Sequence, residues 1–228
     1  MAFEMSRAAM DSPGCETQDM VLVHRVFTRE FGLLGRIVTA TPARDVEQAG
    51  RVAAHAREML AALHHHHTSE DELVWPRLRA ADIDPALVDR MQAQHEAMDE
   101  PIHAVESNLG VWARTADPEI GARLADAFVQ LHRVLTEHLV EEENSVLPIV
   151  ARTMTATQWA ELAKRGMASM SKSRGLVFLG HIHEEADAHE WSAFTKEIPP
   201  PVRLLYRVLG KRGHARETAL LRRDLPTR

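Results

Sequence analysis

Cysteine is almost missing from this chain. Of 228 residues only Cys15 carries a thiol, which excludes intrachain disulfides and any thiolate-built zinc or iron-sulfur site. Any metal held here must be bound by His, Asp or Glu. Long apolar runs are also missing. Patches such as Leu176 to Leu179 fall far short of the roughly 18 residues a membrane-spanning helix needs. The first residues carry Glu4, Arg7, Asp11 and Glu16 with no apolar stretch between them, so no secretory signal is read there and the expected location is the cytoplasm.

What the chain does contain is apolar content, at 45%, sufficient for one large or two small domains. Its net charge of -6 is unevenly placed. Residues 202–228 hold eight Arg or Lys against Glu217 and Asp224, a tail of +6 that leaves the remainder at -12. A body so acidic is a poor nucleic-acid binder. Histidine is abundant, at 14, and His64 to His67 are consecutive. They lie inside a helical pattern far from either end and are not read as a purification tag.

Residues 1–16 lack periodicity and contain Ser12-Pro13-Gly14, the pattern of a flexible lead-in. Four amphipathic helices are predicted over residues 17–152. Their seams are Met20, His24, Phe27, Phe31, Leu34 and Val38; Val52, Ala56, Met59, Leu63, His66, Glu70, Val74 and Leu78; Val88, Met91, His95, Met98, Ile102, Val105, Leu109 and Trp112; and Leu124, Phe128, Leu131, Leu135, His138, Glu142, Val146 and Ile149. Asp84-Pro85 and Asp117-Pro118 are start signals, and Pro76 and Pro101 predict a kink or an end. Long helices on short loops imply an all-α, antiparallel up-down-up-down four-helix bundle. Residues 153–228 read as an accessory helical region packed on it, with helices over 156–170, 174–185 and after Pro199-Pro200-Pro201. In the last of these Leu204, Leu205, Val208 and Leu209 lie on one side and Arg203, Arg207 and Lys211 on the other.

Two stretches 72 residues apart repeat one another. His66-x-x-x-Glu70 and His138-x-x-x-Glu142 each have a proline six residues after the glutamate. Residues i and i+4 share a helix face, so each copy can offer an imidazole and a carboxylate to one metal. His24 and His95 interrupt the other two seams, and in an antiparallel bundle all six residues fall at one end. Burying them without partners costs several kcal/mol per group. A dinuclear metal site compensates, and a donor set of four imidazoles and two carboxylates suits iron, manganese or zinc. Two six-coordinate ions offer about twelve positions; the six residues, with both glutamates bridging, and one oxo or hydroxo bridge fill about ten and leave roughly two open.

The pattern His24, His66-x-x-x-Glu70, His95, His138-x-x-x-Glu142 resembles the hemerythrin-like HHE cation-binding domain, and its wording resembles actinobacterial and mycobacterial hemerythrin-like proteins. The resemblance implies two iron ions with an oxo or hydroxo bridge, meeting dioxygen, hydrogen peroxide or nitric oxide. Oxygen-carrying hemerythrins have a fifth histidine where this chain has Asp99, so reversible oxygen carriage is not expected and Asp99 is read as a solvated or outer carboxylate. The four-His, two-Glu version resembles instead the iron- and oxygen-sensing hemerythrin domain of an F-box protein, and mycobacterial hemerythrin-like proteins associated with peroxide breakdown. The expected function is a di-iron protein that binds or reacts with dioxygen or peroxide, with catalase-like breakdown as its enzymatic version. The alternatives are a non-catalytic sensor or iron-binding module with a protein partner at the C-terminal region, and a metal-free bundle.

The neighbouring polar residues are read separately. His64, His65 and His67 point away from the His66 direction and are assigned to the surface or to helix contacts, one of them available as an outer donor or proton relay. His67 with Asp71 is a second i, i+4 register, set aside because seam and proline offset both select His66 with Glu70. His55 lies about three turns from His66, roughly 16 Å, too far to join. His181 and His183 with Glu184 and Glu185 are read as a polar helix end. Tyr206, the sole tyrosine, lies outside the bundle and speaks against a tyrosyl radical within it.

Overall fold

Aspartates start the helices where the sequence places them. Asp84 accepts from the backbone N–H of Ala86 and Asp117 from those of Glu119 and Ile120, each followed by a proline that needs no N–H partner. Asp45 caps the second rod in the same way, through Gln48. The computed structural model describes residues 12–226 apart from 82 and 169. The bundle comprises α1 (Gln18–Ala40), α2 (Val46–Leu73), α3 (Trp75–Ala80), α4 (Pro85–Ala97), α5 (Asp99–Thr115), α6 (Pro118–Glu141), a π turn (Glu142–Val146) and α7 (Leu147–Thr153). The accessory region adds α8 (Ala156–Ala168), α9 (Lys172–Glu185), α10 (Ala188–Lys196), α11 (Pro200–Leu205), a second π turn (Tyr206–Gly210) and α12 (Lys211–Leu221). Among the described residues there is no strand, and none of the helices is long and apolar enough to cross a membrane.

Helix α1 packs on α2 and α6, and α5 packs on the same two, which closes the four rods into a bundle. The predicted seams face inward. Phe27, Phe31, Leu34, Val52, Leu63, Val105, Leu109, Leu124, Phe128 and Leu135 form the main apolar cluster. A second cluster, with Met20, Val74, Trp75, Val88, Met91, Val146 and Val150, closes one end. The band of polar seam residues lies between the two.

Prolines shape that end. The second rod breaks at Val74 and the third at Met98, each shortly before the proline whose ring would clash with the carbonyl four residues back. In α6 the same constraint at Pro148 is met by the π turn, an interruption that the pattern did not predict. One extra residue turns the following seam, so Val150 is buried where Ile149 was expected and Ile149 is only half-buried. Of the lead-in expected over 1–16, residues 1–11 lie outside the described residues. Gly14 and Cys15 donate backbone hydrogen bonds to Met154 and Ala151. Gly14 has φ +125, a conformation that side chains resist.

The accessory helices lie against α1 and α2. Leu22 and Val26 of α1 meet Leu179, Ile182 and Tyr206. Beside this apolar contact runs a buried polar clasp. Glu30, fully buried, accepts from Arg29 Nε at 2.8 Å, Arg222 Nη2 at 2.9 Å and His55 Nε2 at 2.8 Å. His181 Nδ1 lies 3.4 Å from Oε1, the oxygen that both arginines bind, and Arg222 continues to Glu184. Burial pushes Glu30 upward, yet the His181 and His55 contacts hold it well below the usual carboxylate range. Two glycines set how closely α9 and the last helix approach. A Cβ on Gly180 would meet the His214 side chain at 2.4 Å, and one on Gly210 the Leu176 carbonyl at 2.9 Å. Helix α10 was not expected, and in the last helix the side that carries the leucines faces outward. Tyr206 and Gly210 are buried, whereas Leu204, Leu205, Val208 and Leu209 are exposed.

Candidate metal centre

All six seam-breaking residues meet in one buried layer. His24 comes from α1, His66 and Glu70 from the last turns of α2, His95 from α4, His138 from α6 and Glu142 from the π turn. His66 Nε2 lies 3.1 Å from Glu70 Oε1, and His24 Nε2 lies 3.4 Å from Glu142 Oε2. His95 Nε2 lies 3.5 Å from Glu70 Oε2 and 3.2 Å from His138 Nε2, which is 3.7 Å from Glu142 Oε2.

Three of the imidazoles are aimed by hydrogen bonds at their outer nitrogens. His24 Nδ1 pairs with Glu143 Oε1 at 2.9 Å, His95 Nδ1 with Asp71 Oδ1 at 3.1 Å and His138 Nδ1 with Gln94 Oε1 at 3.0 Å. An Nδ1–H donating outward leaves the Nε2 lone pair facing the layer. Asp71 and Glu143 occupy the same place in the two copies of the repeat, one residue after the inward glutamate, and each aims the histidine of a neighbouring helix. Asp71 also accepts from Trp75 Nε1 at 2.9 Å, which fixes its carboxylate.

Sequence reasoning missed one member. His67 was assigned away from the centre, but it is buried, its ring is stacked on His95 with centroids 4.1 Å apart, and its Nε2 faces the same space. The only hint was its i, i+4 relation to Asp71. The matching position in the other copy is Leu139, so the repeat could not reveal it. Two overlapping groups of donor atoms result, each within 4.8 Å: His24, His66, Glu70 and Glu142, and His67, Glu70, His95 and His138.

Six buried atoms of this layer have no hydrogen-bond partner among the described residues: Nε2 of His24, His66 and His67, both oxygens of Glu70, and Oε2 of Glu142. An unpaired buried polar atom costs about 1–3 kcal/mol. A cation bound by these atoms would remove that cost, and imidazole nitrogen with carboxylate oxygen is a donor set that transition-metal ions accept. The electrostatics agree. Burial and the neighbouring imidazoles hold His66 and His67 well below the ordinary histidine range and His138 down at about 3, and burial lowers His95 against the pull of Asp71. All four are neutral imidazoles at pH 7. Burial, then repulsion from Asp71, raises Glu70 well above its usual value; burial and Glu70 raise Glu142 to about 8.

The remaining candidates lie elsewhere. Asp99 is exposed at the start of α5, and His64 and His65 are exposed. His55 belongs to the Glu30 clasp. His181, Glu184 and His214 come within 4.8 Å of one another, as do His55, Glu58 and Glu217, but arginines already bind their carboxylates: Arg222 on Glu184, Arg174 on Glu58 and Glu217. Cys15 is an inert thiol that donates to the Val150 carbonyl and is pushed by burial to about 11. On the accessory side of His66 is a largely apolar recess of about 150 Å³, with Val23, Phe27, Trp159, Leu162 and Phe178 among its walls.

Comparison with curated proteins and with solved structures returned no match. The family model described as the hemerythrin HHE cation binding domain matches residues 16–150, a span that takes in every residue of the layer and stops short of the accessory helices. With more than half of its residues and both His-x-x-x-Glu copies inside that match, the chain belongs to the hemerythrin HHE cation binding domain family.

Proposed function

We propose that this layer is a dinuclear iron centre whose ligand is dioxygen or hydrogen peroxide. The observation that carries the reading is the set of six unpartnered buried atoms contributed by His24, His66, His67, Glu70 and Glu142. With His95 and His138 they would hold two ions, Glu70 lying in both donor groups and so placed to bridge. Bound iron supplies the redox chemistry. The residues do the rest: Asp71, Glu143 and Gln94 hold the protons of the outer imidazole nitrogens, and Phe27 and Trp75, packed against His66 and His95, keep bulk water away. The apolar recess against His66 favours a small uncharged ligand. Peroxide breakdown is the enzymatic form of this proposal, and the location proposed for it is the cytoplasm.

A second reading, a sensor without turnover, has one observation in its favour. His24 of the metal layer and Glu30 of the clasp sit on the same helix, less than two turns apart, so occupancy of the centre could be transmitted to the accessory helices. One experiment separates the readings. Purified protein loaded anaerobically with ferrous ion is assayed for metal content, visible absorption and peroxide turnover, beside His138→Ala. About two irons per chain with turnover that the variant loses supports the enzyme. Two irons, no turnover and metal-dependent protection of the accessory helices from proteolysis supports the sensor. No stoichiometric metal sinks both.

A further inference from the structure

The outer face of the last helix, α11 through α12, is the one large exposed apolar feature among the described residues. Leu204, Leu205, Val208, Leu209 and Leu220 are 38–61% exposed, whereas the other exposed large aliphatics, Val46, Val111, Val129 and Val140, stand singly on other helices. Leu204 with Val208 and Leu205 with Leu209 sit at i, i+4, so these four form one continuous stripe, and Leu220 lies farther along the same helix. The stripe is not a misplaced core. Tyr206, Gly210, Thr218 and Leu221 fill the opposite face, and the close approaches at Gly180 and Gly210 fix the helix against rolling.

Charge marks the same face. From 199 to 216 there is no Asp or Glu, and Arg207, Lys211, Arg212 and Arg216 are exposed beside the stripe, with Arg203 half-buried at its edge. Among the described residues none of these five cations forms an ion pair, whereas Arg222, Arg223 and Arg174 are all paired with carboxylates. Exposed aliphatics flanked by unneutralised Arg and Lys are the composition of a helix that lies in the headgroup region of an acidic membrane.

We propose that this face docks the protein peripherally on anionic lipid bilayers. A second copy fits it less well. Five aliphatic side chains, each only 38–61% exposed, fall short of the roughly 800 Å² that each partner of a stable dimer buries. A two-fold pairing would also set the cationic row against itself. Pairing head to tail on the acidic bundle is heterologous and would give a ring or an open filament, not a two-fold dimer. A bilayer rich in acidic headgroups takes both the charge and the aliphatic side chains at once.

Vesicle flotation of the full chain tests this, using phosphatidylcholine vesicles with and without phosphatidylglycerol. Binding to the anionic vesicles should exceed binding to neutral ones by roughly tenfold or more and weaken at high salt. Leu205→Ser with Leu209→Ser, and separately Lys211→Glu with Arg212→Glu, should each abolish flotation while leaving helicity and metal content unchanged. Failure to float with anionic vesicles overturns the proposal. So does full binding by the leucine variant, which would mean adsorption by charge alone, or a solution dimer that the leucine variant dissolves, which would assign the face to a second copy. Capture by an acidic protein with no lipid binding would overturn it as well.

Discussion

At the residue scale, the centre depends on side chains that never face it. Asp71 accepts from both His95 and Trp75, and Glu143 accepts from His24. Replacing Asp71 with Asn keeps an acceptor and removes the charge that steadies an imidazole bound to a cation. Metal affinity should fall about 10- to 100-fold, measured by competition with a chelator of known strength, with helicity unchanged. An unaltered affinity would assign Asp71 to packing alone. His67→Leu, which copies Leu139 of the other repeat, should leave the fold intact and lower the number of metal ions retained after dialysis. Retention of the full complement would remove His67 from the ligand set. The helix seam exposes His66 and His138 to a reader of the sequence because they occupy places where leucine is expected. His67 is one step of about 100° away, on the margin of that stripe, and periodicity alone cannot resolve it.

At the scale of elements, the accessory helices are held by charge as much as by apolar contact. Burial would raise the Glu184 carboxyl, but the His214 ring 3.4 Å away, hydrogen bonds from Arg222 and the charge of Arg29 hold it down at about 2. A carboxyl with a depressed folded value adds stability that is whole above its ordinary value near 4.5 and is lost as pH falls toward 2. Amides of α9 and α12 should therefore lose hydrogen-exchange protection on acidification before those of α5 and α6; simultaneous loss would mean that the clasp carries no separate stability. Gly180→Ala places a Cβ 2.4 Å from the His214 ring stem and should cost about 1–3 kcal/mol in denaturant unfolding. A neutral result would show that α12 is free to shift. The bundle was legible because its seams and Asp-Pro starts are local signals. The clasp was not, since Glu30 and Arg222 are 192 positions apart and meet only once the last helix has docked. The π turn was hidden for a different reason: Pro76 and Pro148 stand at equal offsets, yet one ends a helix and the other distorts it.

At the scale of the molecule, metal and fold are linked. The unpartnered atoms of the layer weaken the bundle until a cation engages them, so loading should stabilise the whole chain. At a thousandfold excess over Kd the gain is about 4 kcal/mol, which for a chain of this size raises Tm by roughly 8–16 °C. Calorimetry before and after removal of metal measures this directly, and an unchanged Tm would leave the layer as a metal-free histidine core. One position distinguishes the two copies of the repeat inside the layer, His67 against Leu139. An ion bound by three imidazoles and one bound by two imidazoles and a second carboxylate are not interchangeable. Filling would then proceed in two steps with separate midpoints, and a half-filled chain would be a single species with a spectrum of its own, not a blend of two.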